Sequence, residues 1–133
     1  MTLTNLYNIA KCDNIQVYSY CLDTIDSLSI LSDNNCFVAI DPFKISSEAE
    51  EKVKLAHELG HCETGAFYNQ YAICDIRSKH EHTADKWAIK KLIPKDELKK
   101  ACKFCSNRWE LAEYFGVTED FMQKTLDYYE KNN

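Results

Sequence analysis

The chain lacks what would carry it into or across a membrane. No apolar run approaches the roughly 20 residues of a spanning helix; Phe37-Val38-Ala39-Ile40 is typical of the longest. Met1-Thr2-Leu3-Thr4-Asn5-Leu6 has neither a basic n-region nor a long apolar h-region, so no secretion signal is expected. Positive charge is in deficit: 16 Lys and Arg stand against 21 Asp and Glu, a net charge of −5. Such a surface repels phosphates at long range, which argues against direct nucleic-acid binding and against anionic membranes. No internal repeat, linker or low-complexity stretch breaks the 133 residues. With 45% apolar and 12% aromatic residues, that length suits one compact domain rather than a disordered chain.

Cysteine, by contrast, is plentiful. The seven cysteines are odd in number, and a chain of this size does not need disulfide staples. They are expected to be mostly reduced, in the cytoplasm, packed as small apolar side chains. Cys62 reads as an inert buried thiol. Cys102-Lys103-Phe104-Cys105 is a CxxC with no second pair nearby, better read as two inward-packed cysteines than as a zinc or redox site.

Residues 1–12 suit a short helix. Ile15-Gln16-Val17-Tyr18-Ser19-Tyr20 and Ser27-Leu28-Ser29-Ile30-Leu31 alternate, and Cys36-Phe37-Val38-Ala39-Ile40 is a continuous apolar run. With Asp33-Asn34-Asn35 as a turn, these predict a small antiparallel sheet that ends at Asp41-Pro42. Ser46-Ser47-Glu48 then opens a helix that should run through His61 and stop near Gly65. Residues 66–79 read as a loop anchored by Phe67, Tyr68 and Tyr71. Further helices are predicted from about Lys79 to Leu92, Asp96 to Cys102, Asn107 to Phe115 and Thr118 to Tyr129. Strands first and helices after make an α+β chain. Residues 1–106 are expected to form the core and 107–133 a C-terminal helical segment packed on it.

The chemistry concentrates in His57-Glu58-Leu59-Gly60-His61. Residues four apart share a helix face, so two imidazoles point at one place, as a tetrahedral zinc requires of a single helix. Glu58, one step round, can reach a water at that metal and take its proton. The plain alternative is two surface histidines on a solvated helix, but Leu55, Ala56 and Leu59 mark this helix as buried on one side. A catalytic zinc needs a third protein ligand and an open position. Lys79-His80-Glu81-His82-Thr83-Ala84-Asp85 offers Glu81, with His82 and His80 as rivals. Asp85, four residues on, could accept the ring N–H of a ligand histidine and fix its tautomer. Salt bridges with Lys79, Lys86 or Lys90 are the alternative roles of Glu81 and Asp85. Tyr68, Tyr71, His80 or His82 could donate to a developing oxyanion; amphipathic core anchoring is the alternative for the tyrosines.

Leu55-Ala56-His57-Glu58-Leu59-Gly60-His61-Cys62-Glu63-Thr64-Gly65-Ala66-Phe67-Tyr68 resembles the active helix of the ImmA/IrrE metallopeptidases. Glu81-His82-Thr83-Ala84-Asp85-Lys86-Trp87-Ala88, followed by Leu92-Ile93-Pro94, is similar to that family's second motif. The resemblance spans about residues 36–130. Thr83 departs from it, since many members carry a charged residue there. The resemblance implies a zincin-type pair of metal-bearing helices, with His57, His61 and Glu81 as ligands of Zn2+, Glu58 as general base and Asp85 behind the ligands. It also implies a gluzincin-like endopeptidase whose protein substrate is a helix-turn-helix transcriptional repressor of a prophage or mobile element. A rival of another class is an anti-repressor that binds the repressor without hydrolysis and keeps the metal as a structural element.

Two features fall outside this constellation. Residues 77–103 carry nine Lys and Arg against four acids, a solvated face by default or a dock for an acidic partner. Leu111-Ala112-Glu113-Tyr114-Phe115-Gly116-Val117-Thr118 looks like the first half of a helix-turn-helix. Its following helix begins Glu119-Asp120, which would face phosphates, and three cations oppose six acids over 107–133. A helical module that packs on the core or docks a protein fits those charges better than a DNA reader.

Overall fold

The computed structural model describes residues 1–68 and 74–132. They form α1 (Leu3–Cys12), β1 (Gln16–Ser19), β2 (Ser27–Ser32), β3 (Asn35–Ile40), α2 (Glu48–Thr64), α3 (Cys74–Leu92), α4 (Lys95–Ala101), α5 (Arg108–Phe115) and α6 (Glu119–Lys131). The class is α+β. Strands β2 and β3 make the expected antiparallel hairpin, closed by Asp33 and Asn34 at φ 50° and 65°. Two consecutive left-handed residues let a two-residue turn match the twist of its strands, and Asp and Asn tolerate that conformation.

The sheet as a whole is mixed, not antiparallel. The strand order is β1-β3-β2, and β1 pairs with β3 in parallel, Val17 opposite Val38. Residues 20–26 carry the chain past the end of β3, so β1 and β2 lie on opposite sides of it. Alternation in β1 revealed a strand with two faces but not the direction of its neighbour. Val17, Val38 and Ile40 turn toward α2; Tyr18 and Phe37 stack on the other face with ring centroids 6.4 Å apart.

Helix α2 starts where its caps predict. Ser47 Oγ accepts from Glu50 N at 3.1 Å, and Glu48, Glu50 and Glu51 place negative charge at the positive end of the helix dipole. Gly65, at φ 69°, terminates it. Helix α3 begins at Cys74, five residues earlier than expected. No Gly or Pro stands between Ala66 and Ile93, so nothing in the covalent chain stops it from extending. Tyr71 lies outside the described residues.

Helices α2 and α3 form the central pair, and their crossing is unusually close. A Cβ built on Gly60 would stand 2.6 Å from the carbonyl oxygen of Ala84 and 3.1 Å from its Cα. One continuous core runs through Leu6, Val38, Leu55, Leu59, Ile89, Leu92 and Ile93, and on into Leu111, Val117, Phe121 and Met122 of the C-terminal helices. No described helix is long and apolar enough to cross a membrane.

The cysteines depart furthest from expectation. Cys36 and Cys62 form a disulfide that ties β3 to the last turn of α2, with Cα atoms 5.8 Å apart. Cys62 is therefore not a lone buried thiol. The two stand 26 residues apart, a spacing that carries no local signal; the pairing arises because Cys36 points from the sheet toward α2. Cys12, Cys21 and Cys102 are exposed and Cys105 is half-buried, so the CxxC is neither bonded nor packed inward as a pair. Closing a loop of that length removes unfolded-state entropy worth about 3.5 kcal/mol. Reduction, or the double change Cys36→Ala with Cys62→Ala, is expected to lower the urea-unfolding free energy by about that amount. Coincident unfolding curves with and without reductant would contradict the bridge.

Candidate metal centre

His57 and His61 stand one turn apart on α2, with imidazole centroids 4.9 Å apart and the rings nearly perpendicular. Glu81 approaches from α3. His57 Nε2 lies 2.8 Å from Glu81 Oε2, and His61 Nε2 lies 3.1 Å from Glu81 Oε1. One donor atom from each of the three side chains falls within 4.8 Å of the other two.

The far nitrogen of each ring is held. His57 Nδ1 is 2.8 Å from Asp85 Oδ1, and His61 Nδ1 is 2.5 Å from the carbonyl oxygen of Ala66. Both partners are acceptors, so each Nδ1 carries a proton and donates, and each Nε2 is turned toward a Glu81 oxygen. His61 is only 5% exposed. Two imidazoles and a carboxylate, with the outer nitrogens already satisfied, fit a divalent metal of the zinc type.

The electrostatics agree. Burial penalises a charged His57, yet its bonds to Asp85 and Glu81 outweigh that and raise its pKa to about 9. His61 is raised too: burial opposes, while Glu81 and the Ala66 carbonyl prevail. The two rings hold the Glu81 carboxyl well below the usual carboxylate range. Asp85 is lowered against the pull of burial by His57 and by Lys124.

A proton on His57 Nε2 would compete with a metal ion held there. Raising the pH removes the competing proton, so apparent affinity for Zn2+ is expected to climb at least about tenfold per pH unit up to about pH 9 before levelling. Titration against a chromophoric chelator reads this directly. A plateau from about pH 7, as an ordinary histidine would give, contradicts the Asp85–His57–Glu81 arrangement.

Glu58 is 6% exposed and accepts a hydrogen bond from Ser27 Oγ of β2, 2.7 Å from its Oε2. Both line an open cleft of about 350 Å³ with His57, His61, Glu81, Phe67 and Tyr68. Ser27, Leu28 and Ser29 all border it. Three consecutive residues of a strand alternate faces, so what meets the cleft is the edge of β2, where no strand pairs among the described residues. Tyr68 Oη donates to Glu81 Oε1 at 2.9 Å; burial, then this bond, raises its pKa.

The rivals for third ligand sit elsewhere. His82 tilts toward Tyr128 of α6, centroids 6.5 Å apart, and His80 stacks on Tyr68 at 6.3 Å. In the sequence Ser27 reads only as the start of an alternating strand, because a serine there carries no catalytic signal of its own.

A family model described as the IrrE N-terminal-like domain, Peptidase_M78, matches residues 31–127. The chain belongs to that family. The match takes in β3, α2, α3 and most of α6, so the M78 domain includes the C-terminal helices as well as the site. No curated protein matches the chain.

Proposed function

We propose that this chain is a zinc-dependent endopeptidase of narrow specificity, with His57, His61 and Glu81 as its metal ligands and Glu58 as general base. The observation that carries the proposal is the convergence of two Nε2 atoms and a carboxylate beside a buried glutamate, on one wall of an open cleft. Zinc held there would polarise the scissile carbonyl and make water a stronger nucleophile at neutral pH.

The side chains do the rest. An extended segment of substrate pairs with the free edge of β2 and lays its backbone past His57 and His61. Glu58, held at Oε2 by Ser27, takes the proton of the attacking water on Oε1 and returns it to the leaving amine. Tyr68 swings its hydroxyl from Glu81 to the developing oxyanion. Asp85 and the Ala66 carbonyl hold the histidine rings in register throughout.

The substrate in this reading is a helix-turn-helix repressor of a prophage or mobile element, cut to release transcription in the cytoplasm. Membership in the M78 family and the small, open cleft support a single docked protein over general digestion. Residues 1–106 serve as the catalytic core and 107–133 as a helical part packed on it, with no direct role on DNA. Co-expression with a helix-turn-helix repressor taken from a neighbouring gene tests the proposal by intact-mass spectrometry. Two fragments whose masses sum to the repressor plus one water are expected. An intact repressor released from its operator would favour sequestration without hydrolysis.

A further inference from the structure

We infer that Lys124, on the C-terminal helix α6, is a positioning residue for the metal centre and acts through Asp85. The inference rests on the reading of His57 as a ligand. Asp85 uses its two oxygens on different partners: Oδ1 lies 2.8 Å from His57 Nδ1, and Oδ2 lies 3.1 Å from Lys124 Nζ. A carboxylate held by one oxygen turns easily, because its terminal torsion is broad. Held by both, it presents one fixed lone pair to the imidazole.

The setting favours a real effect over an idle surface pair. The Asp85 side chain is only 19% exposed, although that of Lys124 is 52% exposed. An ion pair with one partner largely out of water is screened less than two exposed charges. Lys124 also reaches across 39 residues of sequence to make it. Within its own helix, Asp127 is engaged by Gln123 Nε2 at 2.9 Å, and Gln123 in turn accepts from Arg108 at the same distance. The side chains around Lys124 are thus arranged so that its ammonium faces α3. Below Lys124, Phe121, Met122 and Thr125 are buried and anchor α6 in the core, so the lysine projects from a fixed platform.

Losing the group directly behind a ligand histidine costs roughly 10- to 100-fold in metal affinity. Lys124 stands one contact further out, so Lys124→Met is expected to weaken Zn2+ affinity about 3- to 10-fold by chelator competition. Lys124→Arg, which keeps the charge and the donors, should stay within about twofold. In an Asp85→Asn background the Lys124→Met change should fall below about twofold, since the route to His57 is gone. Circular dichroism and thermal unfolding check that each variant is folded, and Lys124→Gln repeats the test if Lys124→Met is not.

Equal losses in both backgrounds would overturn the inference, as would no loss, or tighter binding from simple removal of a nearby positive charge. Failure of Lys124→Arg to rescue would also overturn it. If the unmodified chain binds no zinc, the metal-centre reading falls first and this inference with it. Intact binding with an indifferent Lys124 sinks this inference alone.

Discussion

Replacing Glu58 with Gln should lower the rate of substrate cleavage by about 100- to 10,000-fold, the range a positioned general base contributes, while Zn2+ affinity stays within about twofold. The two halves of this expectation come from different contacts. Glu58 is not one of the three residues whose donor atoms converge, so metal uptake does not need its charge. It does stand in the cleft, buried, with one oxygen taken by Ser27. A glutamine is nearly isosteric and its carbonyl oxygen can still accept from Ser27, so the fold should survive. What it cannot do is accept the proton of the attacking water. Single-turnover cleavage of the repressor and chelator competition, run on the same preparation, separate the two. Cleavage above about a tenth of the original rate would remove Glu58 from the mechanism and favour binding without hydrolysis.

Gly60→Ala should be as damaging, by an unrelated route. Alanine favours a helix over glycine by about 1 kcal/mol, so in isolation the change would stabilise α2. Here the added methyl meets the Ala84 carbonyl oxygen at 2.6 Å and the Ala84 Cα at 3.1 Å. Those atoms are backbone and cannot rotate away, so α2 and α3 must part. Overpacking of this kind costs about 1–3 kcal/mol, enough to cancel the helical gain. The larger effect falls on the site, because His57 and His61 ride on α2 and Glu81 on α3. A displacement near 1 Å costs on the order of 100-fold in rate, and Zn2+ affinity is expected to drop alongside. Gly116→Ala is the control. At φ 66° it strains the end of α5 and meets only the flexible end of Lys52 at 3.1 Å, so it lowers the melting temperature but should leave metal affinity alone. Equal loss of affinity in both variants would mean that close helix approach is not what holds the ligands together.

Much of this site was readable in the sequence because helical geometry is local. A spacing of four from His57 to His61 fixes a shared face wherever the helix lies, and the same spacing ties Glu81 to Asp85. The pairing across helices was not fixed by spacing; it needed the family resemblance, and the geometry then separated Glu81 from His80 and His82. What stayed hidden depends on tertiary approach. The parallel partner of β1, the Cys36–Cys62 bridge, Ser27 behind Glu58 and Lys124 behind Asp85 all join residues far apart in the chain. No periodicity encodes them. The early start of α3 has a different cause: three aromatic residues in 66–71 read as loop anchors, yet no helix breaker stands between them and Ile93.

Lys52 sits on α2, the helix that carries both histidines, yet it is only 7% exposed and faces away from them. Its Nζ donates to the carbonyl oxygen of Phe115 at 2.6 Å, beneath Gly116, which turns left-handed at φ 66°. A chain cut after residue 106 would keep the ammonium and lose its acceptor, and would also bare core surface otherwise covered by Leu111, Val117, Phe121 and Met122. Baring that much apolar surface costs several kcal/mol, a large share of the stability of a domain this size. The last two helices are therefore not cargo that recombination can swap between relatives. They and α2, which carries both histidines, share one core.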